Sequence, residues 1–162
     1  MGLHSSMIRL ARQVRLAATR ARNLGVHISV GNDFSISPSA VIDRRATLSA
    51  GDNVAIGPHL TQLANVTIGN DVMISARVGF IGDDHPFDAP GPLTTHPSRG
   101  LTSINLEGDN LIGYGATLIG PLTVGRGAIV AAGAIVTHDV PPESIVAGTP
   151  ARVMRQRKRD GT

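Results

Sequence analysis

Cysteine is absent from this chain of 162 residues, and aromatic side chains are scarce. The lack of cysteine excludes disulfides, thiolate metal sites and a cysteine nucleophile. The aromatic residues are Phe34, Phe80, Phe87 and Tyr114. So low an aromatic content is unusual for an ordinary globular core, and it is typical of a narrow interior that large rings do not fit.

The sequence also lacks a long hydrophobic run. Its longest apolar stretch, residues 128–136, contains Gly133 and is too short to span a bilayer. The N-terminus is rich in arginine and has no continuous apolar segment, so we predict no signal peptide. The sequence therefore predicts a cytoplasmic protein without an integral membrane segment, and its length fits one domain.

Charge is distributed unevenly along the chain, although the net charge is only +3. Residues 1–24 carry five arginines and no acid, and residues 152–162 carry five basic residues against Asp160. The segment between them has five basic and eleven acidic residues. Basic ends fit a membrane surface, nucleic acid or the phosphates of a small cofactor, or they are simply solvated. Because the ends lack the aromatic platforms that bind single strands, we predict no nucleic-acid partner.

A repeat of six residues organises the C-terminal half. The first place of each six is aliphatic, the fifth is usually small or aliphatic, and Gly, Asn and Asp recur where the backbone must bend. The first places are Leu106, Ile112, Leu118, Val124, Val130 and Val136. A period of six matches neither an α-helix nor an alternating strand, but it fits a solenoid in which each six forms one flat face. We predict an all-β fold whose first-place side chains stack along the axis.

The same period fills residues 30–80, with a two-residue slip at Leu48 and Ser49. Gln62 is the one polar residue in first place, and we predict that it occupies a tolerated edge position. Residues 81–105 then interrupt the period with four prolines and no regular pattern. A long excursion from a regular scaffold is often a functional loop, so we predict that this is the active-site loop.

An amphipathic helix is predicted at the N-terminus, within residues 1–25, and Gly25 is placed to end it. Met7, Leu10, Val14 and Ala17 lie on one stripe at helical spacing. The helix could lie on an anionic membrane surface, or it could cap the exposed first coil of the solenoid. The stripe is thin and has no aromatic residue, so we favour the cap.

Three motifs resemble the hexapeptide-repeat acyltransferases, whose fold is a left-handed parallel β-helix. They are the repeats, the loop sequence Asp84-His85-Pro86-Phe87 and the closing segment over residues 136–155. The similarity covers roughly residues 30–155 and is greatest to the maltose, galactoside and exopolysaccharide O-acetyltransferases. It implies a β-helix domain over residues 26–155, a homotrimer with sites between subunits, and acetyl-CoA as co-substrate. Beyond the coil we predict one more strand, a short basic helix and a basic tail over residues 156–162.

The resemblance places His85 at the position of the family's catalytic histidine. Acyl transfer to a hydroxyl needs a base, and histidine suits this role because its pKa lies near working pH. With no cysteine and no serine nucleophile motif, direct transfer in a ternary complex is the simplest mechanism. Asp83 or Asp84 would orient the imidazole or bind a sugar hydroxyl, or would only solvate the loop. His96 and Arg99 are further candidates for acceptor contacts.

The resemblance also implies a coenzyme A groove near the C-terminus. Its pyrophosphate and 3′-phosphate suit the fork of donors on a guanidinium group. The candidate cofactor residues are Ala132, Thr137, His138, Arg152 and Arg155. The further basic residues, Arg157 to Arg159, are predicted to form a solvated end.

The acceptor predicted from the resemblance is a sugar hydroxyl in carbohydrate or polysaccharide metabolism. The alternatives are an amine, on an amino sugar or an antibiotic-like compound, and a non-catalytic scaffold. Leu111 stands where relatives commonly have tryptophan, which leaves the acceptor class and acyl size open. A γ-type carbonic anhydrase needs three histidines around a metal, and His59, His85 and His96 do not match its close pair. We therefore expect no metal.

Overall fold

The fold is a prism of short strands with one helix at its N-terminal end. The computed structural model describes residues 2–158, with side chains from residue 6 onward. The chain coils through three faces in turn, so that each face is a sheet whose neighbouring strands belong to successive coils. This architecture confirms the predicted all-β fold, a left-handed parallel β-helix with an N-terminal capping helix.

Each of the three sheets follows one face of the prism. The first sheet contains β1 (His27–Val30), β4 (Thr47–Ala50), β7 (Asn65–Ile68), β10 (Ser103–Leu106) and β13 (Leu122–Val124). The second contains β2 (Ser35–Ile36), β5 (Val54–Ile56), β8 (Val72–Ile74), β11 (Leu111–Ile112), β14 (Ile129–Val130), β16 (Ser144–Gly148) and β17 (Ala151–Gln156). The third contains β3 (Val41–Ile42), β6 (Thr61–Leu63), β9 (Gly79–Ile81), β12 (Thr117–Ile119) and β15 (Ile135–Val136).

The core is the column of inward side chains that the six-residue period predicted. Leu106, Ile112 and Leu118 are completely buried, and each lies one coil away from another apolar residue in register. The two-residue slip is absorbed by β4, which points both Leu48 and Ala50 inward because alternate residues of a strand share a face. Burial of one such aliphatic side chain contributes about 1.5–3 kcal/mol.

Tight corners join the faces. At Gly113 a Cβ atom would lie 2.5 Å from the backbone nitrogen of Ala132 in the next coil, so only glycine fits there. At the corner between the first and second sheets, one residue in each of several successive coils has a positive φ. Aspartate or asparagine stands there, and these residues tolerate the left-handed region. They are Asp33, Asn53, Asp71 and Asp109.

Gln62 lies inside the prism, so the predicted edge position is wrong. It is completely buried and stacks between Ile42 and Phe80 of the neighbouring coils. Its Nε2 donates hydrogen bonds to the carbonyls of Thr47, at 2.9 Å, and Ala64, at 3.0 Å. Within the described part of the chain its Oε1 has no hydrogen-bond partner. The amide is retained because it satisfies two carbonyls at a corner of the coil.

Helix α1 (Gly2–Arg22) lies across the first coil. Thr19 is completely buried and its hydroxyl lies 3.3 Å from the carbonyl of Ser37. Just after the helix, buried Asn23 donates to the carbonyl of Ala40 and accepts from the backbone N–H of Ile42. At the end of a stack of parallel strands, backbone groups lack hydrogen-bond partners. These bonds supply the partners, which is the function of a cap.

The face of α1 that covers the coil differs from the predicted stripe. Leu16 is the apolar helix residue packed against the core, whereas Met7, Leu10 and Val14 are all exposed. The periodicity locates an apolar stripe correctly, but the coil is contacted by the opposite side of the helix.

The C-terminal segment forms a hairpin. The predicted extra strand is present as β16, which pairs in parallel with β14. The predicted short basic helix is wrong, because residues 151–156 form β17, antiparallel to β16. An unpaired β16 would leave an open sheet edge, and β17 supplies its partners.

The predicted basic tail over residues 156–162 is also corrected in part. Gln156 belongs to β17, and the backbone N–H of Arg157 donates to the carbonyl of Glu143 at 2.6 Å. The Arg157 guanidinium reaches the carbonyl of Gly127, at 3.0 Å, and the carboxylate of Asp109, at 3.4 Å. Arg157 is therefore anchored rather than solvated, while Arg159 lies outside the described residues.

The long loop is slightly shorter than predicted, because Ile81 ends β9 and Ser103 begins β10. It therefore spans residues 82–102 and contains one 3-10 turn, Leu93–Thr95. Along residues 2–158, no helix has both the length and the apolar character required to span a membrane.

Candidate active site

The candidate site lies on one edge of the prism. We call the edge between the third and first sheets the loop edge, because the chain leaves it after β9 and returns to it at β10. In other coils this edge is formed by residues 43–46, 120–121 and 137–139. The predicted loop residues and two of the predicted cofactor residues, Thr137 and His138, therefore lie along the same edge.

His85 is held by a main-chain carbonyl and a carboxylate of its own loop. Its Nδ1 lies 3.0 Å from the carbonyl oxygen of His96, and its backbone N–H donates to the carboxylate of Asp84 at 2.8 Å. A carbonyl oxygen can only accept a hydrogen bond, so Nδ1 carries the proton of the neutral ring. This assignment leaves Nε2 as the basic nitrogen. The His85 side chain is exposed, so Nε2 is accessible to a bound acceptor.

His96 and Arg99 shape the loop around His85. The Nε2 of His96 lies 2.9 Å from the carbonyl of Pro90, which fixes the His96 ring. The backbone N–H of Arg99 donates to the carbonyl of Asp84 at 2.8 Å. The guanidinium of Arg99 lies over the exposed ring of Phe87, 5.7 Å from its centre, within reach of a cation–π contact. The predicted residues around His85 are thus brought together, although the His85 ring is oriented by a carbonyl.

Asp83 anchors the loop to the coil. One of its oxygens accepts from the hydroxyl of Ser98, and the other pairs with Arg45, which also pairs with Asp43 at 2.8 Å. The loop start is reinforced by an isolated antiparallel bridge between Asp83 and Leu101. We call Asp43, Arg45, Asp83 and Ser98 the loop clamp.

The loop clamp lowers the pKa of both its carboxyl groups. The Arg45 guanidinium is the main cause for Asp43, whose pKa falls from 3.8 to about 2. For Asp83 the hydrogen bond from Ser98 lowers the pKa most, and the bond from Arg45 adds to it. Sequence reasoning missed Arg45 and Ser98. The signal available for Arg45 is its position at the same corner of the coil as the loop.

Arg45→Ala should make stability less dependent on pH in acid. The Asp43 and Asp83 carboxyls have lower pKa values when folded than when unfolded, so their stabilisation is present above about pH 4 and is lost as the pH falls through the folded pKa values. For Asp43 the folded pKa is about 2. The variant lacks the part of this contribution that the Arg45 guanidinium supplies, whereas the bonds from Ser98 to Asp83 and from the backbone N–H of residue 45 to Asp43 remain. We expect the gap between the urea midpoints of wild type and variant to be largest near neutral pH and to narrow below about pH 4.

Arg44→Ala is the matched control, because Arg44 is the exposed neighbour of Arg45 and lies outside the clamp. Its charge is the smallest of the causes that lower the Asp43 pKa, so this control should stay close to the wild type over the same pH range. A gap between Arg45→Ala and wild type that stays constant in acid would contradict the ionic role of the clamp.

A groove at the C-terminal end gathers most of the predicted cofactor residues. It has a volume of about 400 Å³ and is lined by Thr137, His138 and Arg152, together with apolar residues of β15 and the hairpin. The Thr137 hydroxyl lies 2.9 Å from His138 Nδ1. All three side chains are exposed, so their polar ends are accessible to a ligand.

Two other predicted cofactor residues lie outside this groove. Ala132 is exposed at the edge between the second and third sheets, and Arg155 is exposed on β17 with its guanidinium bonded to the carbonyl of Gln156. The structure therefore brings together Thr137, His138 and Arg152, and it separates Ala132 and Arg155 from them.

The histidines with described side chains do not converge on one metal site. His59 lies at the edge between the second and third sheets, whereas His85 and His96 are on the loop. Among the residues whose side chains are described, no group of three or more His, Cys, Asp or Glu could hold a metal ion.

The fold and the loop define a β-helix with a candidate histidine base on one edge, and the chain is similar in sequence and fold to known proteins. No family model matches the chain. A Saccharomyces cerevisiae protein named for a proposed acetyltransferase activity is 32% identical over 138 residues, 83% of this chain and 69% of that protein. A serine acetyltransferase of Bacillus licheniformis is 37% identical over 123 residues, 76% of this chain and 49% of that enzyme.

A solved structure agrees with these relatives. It is a hexapeptide-repeat acetyltransferase of Vibrio cholerae in complex with acetyl-coenzyme A, with a TM-score of 0.68 and 27% sequence identity, covering 90% of this chain and 78% of that one. The chain belongs to the hexapeptide-repeat acetyltransferase family. It spans about half the length of several relatives that it matches.

Proposed function

We propose that this protein transfers an acetyl group from acetyl-CoA to a hydroxyl of a sugar, with His85 as general base. The observation that carries the proposal is the hydrogen bond between His85 Nδ1 and the carbonyl of His96. It fixes the tautomer in which Nε2 can accept a proton, on an exposed loop next to the coil. The cytoplasm is the proposed location, because acetyl-CoA is available there.

The proposed reaction is a direct transfer. The acceptor hydroxyl loses its proton to Nε2 of His85 as its oxygen attacks the thioester carbonyl carbon. The carbon–sulfur bond of the tetrahedral intermediate then breaks, and the proton on His85 passes to the departing thiolate. Backbone N–H groups of the coil would stabilise the oxyanion. One histidine thus accepts the proton of the acceptor and passes it to the leaving thiolate, and no covalent enzyme intermediate is needed.

The groove at the C-terminal end is the proposed binding site for part of coenzyme A. Arg152 supplies a guanidinium for the phosphates, and Thr137 and His138 supply hydroxyl and ring donors at the groove wall. Arg155 and Ala132 lie on different surfaces, so they would contact the cofactor only where it extends beyond the groove. In the Vibrio cholerae relative, acetyl-CoA is the bound ligand.

A homotrimer with sites between subunits is proposed as the working form. Both the His85 side chain and the Arg152 side chain are exposed in the single chain. A neighbouring copy along the loop edge would enclose them and exclude water, which strengthens electrostatic stabilisation of the transition state.

The loop offers defined polar contacts for a sugar. Asp84, His96 and Arg99 surround His85, and Asp84 keeps one carboxylate oxygen beyond the one bonded to the His85 N–H. Asp83 is a less suitable acceptor contact than predicted, because the loop clamp engages both of its oxygens. An amine acceptor is the alternative, since the same base would serve it.

The test of the function is acceptor-dependent release of thiol from acetyl-CoA. Sugars, nucleotide sugars and amino sugars would be compared, and the product would be analysed for an ester or an amide. Ester formation on a sugar supports the proposal, whereas amide formation favours the amine alternative. Coenzyme A binding without transfer to any of these acceptors would contradict the proposed substrate class.

Arg152→Ala should raise the KM for acetyl-CoA about tenfold or more, because one charge-assisted contact to a phosphate is lost. The KM for the acceptor should change little, since Arg152 lies in the C-terminal groove and not on the loop. Arg77→Ala is the control, because Arg77 is exposed at another edge of the prism. If both substitutions raised the KM for acetyl-CoA equally, the effect would come from the net charge of the protein and not from a contact of Arg152 with the cofactor.

A further inference from the structure

The outer side of helix α1 carries an apolar stripe with no partner in the described chain. Met7, Leu10 and Val14 are exposed to 68%, 61% and 60%, which is far more than an apolar residue of a packed helix shows. Ala17 is exposed on the same stripe. We call these four residues the outer face of α1.

The outer face points directly away from the coil. At 3.6 residues per turn, the outer face lies about 180° around the helix from the side formed by Arg12, Leu16 and Thr19. That opposite side makes the contacts to the first coil, including the ion pair between Arg12 and Asp33 and the packing of Leu16. The helix therefore has two faces with separate roles, and capping the coil accounts for only one of them.

Arginines border the outer face on both sides. On the helical wheel, Arg15 and Arg22 lie along one border, and Arg9 and Arg20 lie along the other. No acid occurs in residues 1–24. The long side chains of Arg9, Arg15 and Arg22 can extend beside the apolar stripe and place their charges at the level of lipid headgroups, whereas the Arg20 guanidinium donates to the carbonyl of Ile28 on the coil.

We propose that the outer face of α1 docks on an anionic lipid bilayer. A helix of this kind lies in the plane of the interface, with its apolar stripe among the acyl chains and its cationic borders on acidic headgroups. Because contacts such as that of Arg20 with the carbonyl of Ile28 already hold α1 on the coil, binding does not have to order the helix. The inference is independent of the acceptor and of the catalytic residue.

A second copy of the chain suits this face less well. Pairing two copies of α1 through their outer faces would bring arginine borders together with no acid on either helix to offset them. An anionic bilayer offers acyl chains to the apolar stripe and acidic headgroups to both arginine borders. The absence of aromatic residues from the stripe predicts reversible rather than permanent binding.

The test measures co-flotation of the purified full-length protein with phosphatidylcholine vesicles, prepared with or without phosphatidylserine. We expect binding to the vesicles that contain phosphatidylserine, and much weaker binding to the neutral ones or at high salt. Equal binding to both kinds of vesicle, or to neither, would overturn the proposal.

Two variants separate the apolar and the charged contributions. Leu10→Ser with Val14→Ser should reduce binding to anionic vesicles more than tenfold, because the apolar stripe is lost. Arg15→Gln with Arg22→Gln should reduce it roughly 30-fold, because each arginine near the surface contributes a factor of about five to six. The control is Arg44→Gln with Arg77→Gln, which removes the same charge from exposed positions on the coil and should retain nearly full binding.

Circular dichroism and light scattering of each variant complete the test. A folded variant with unchanged mass and lost binding supports the membrane role. If the serine variant instead changes the oligomeric mass, and the wild type ignores anionic vesicles, the outer face is an interface between copies and the proposal is overturned. If the control variant loses as much binding as the helix variant, binding follows total charge and the helix is not the docking surface.

Discussion

Replacing His85 with alanine is expected to lower kcat for acetyl transfer by a factor on the order of 10² to 10⁴. The substitution removes the nitrogen proposed to take the acceptor's proton. The binding of acetyl-CoA should be nearly unchanged, because the groove proposed to hold the cofactor is lined by other residues at the C-terminal end. Thiol release measured with the identified acceptor would give kcat, and calorimetry with coenzyme A would give the affinity.

Two other histidine variants sharpen this result. His27→Ala removes an exposed histidine at the start of β1 and should retain full activity. His96→Ala keeps the carbonyl that accepts the hydrogen bond from His85, so it should lower activity much less than His85→Ala. Full activity of the His85 variant would contradict the mechanism, and a large loss in His96→Ala would then make His96 the candidate base.

Phe80→Ala is expected to lower the free energy of unfolding by about 3–5 kcal/mol. Phe80 is completely buried on β9, between Gln62 and Leu118 of the adjacent coils. The parallel ladders on both sides prevent these neighbours from closing the cavity. Urea unfolding followed by circular dichroism would measure the loss as a lower midpoint.

Phe87→Ala is the matched control for this substitution. It removes the same ring from a position that is 63% exposed on the loop, so the unfolding midpoint should change little. If Phe80→Ala and Phe87→Ala lowered the free energy of unfolding by similar amounts, the loop would unfold cooperatively with the coil.

The coil could be predicted from sequence because its interior selects residues by shape. The narrow interior admits an aliphatic side chain at the first place of each six, so positions such as Leu118 and Val130 are aliphatic in every repeat after the loop. Asn110 shows how a polar side chain can follow the same rule. It is buried in fifth place, where its amide donates to the carbonyls of Gly125 and Ala128.

The prediction failed where the structure depends on which face or edge is left open. An apolar stripe on α1 was visible in the sequence, but the side that covers the coil is chosen by polar bonds from Thr19 and Asn23 to the first coil. The strand β17 replaces a predicted helix for a similar reason, because β16 offers an unpaired edge. The short-range periodicity of the sequence determines neither which face of α1 packs on the coil nor whether residues 151–156 form a strand.

The candidate site was predictable only in part. His85 and its loop were found through a motif, and the structure adds the groups that position them. The contact of Arg45 with Asp83 joins residues from different coils, and the six-residue period places Arg45 at the corner of the loop without showing that the two side chains pair. The convergence of Thr137, His138 and Arg152 likewise requires the hairpin that brings β17 beside β15.

The place where the loop leaves the coil determines how readily the loop can change in length. Across the loop, Ser103 pairs with Asn65, a separation about twice that between Ile104 and its later partner Leu122. Doubling the length of a flexible segment adds only about 0.6 kcal/mol to the entropy cost of closing it. Insertions and deletions between β9 and β10 that leave the loop clamp intact should therefore be nearly neutral for folding, and the loop can diverge while the coil stays the same.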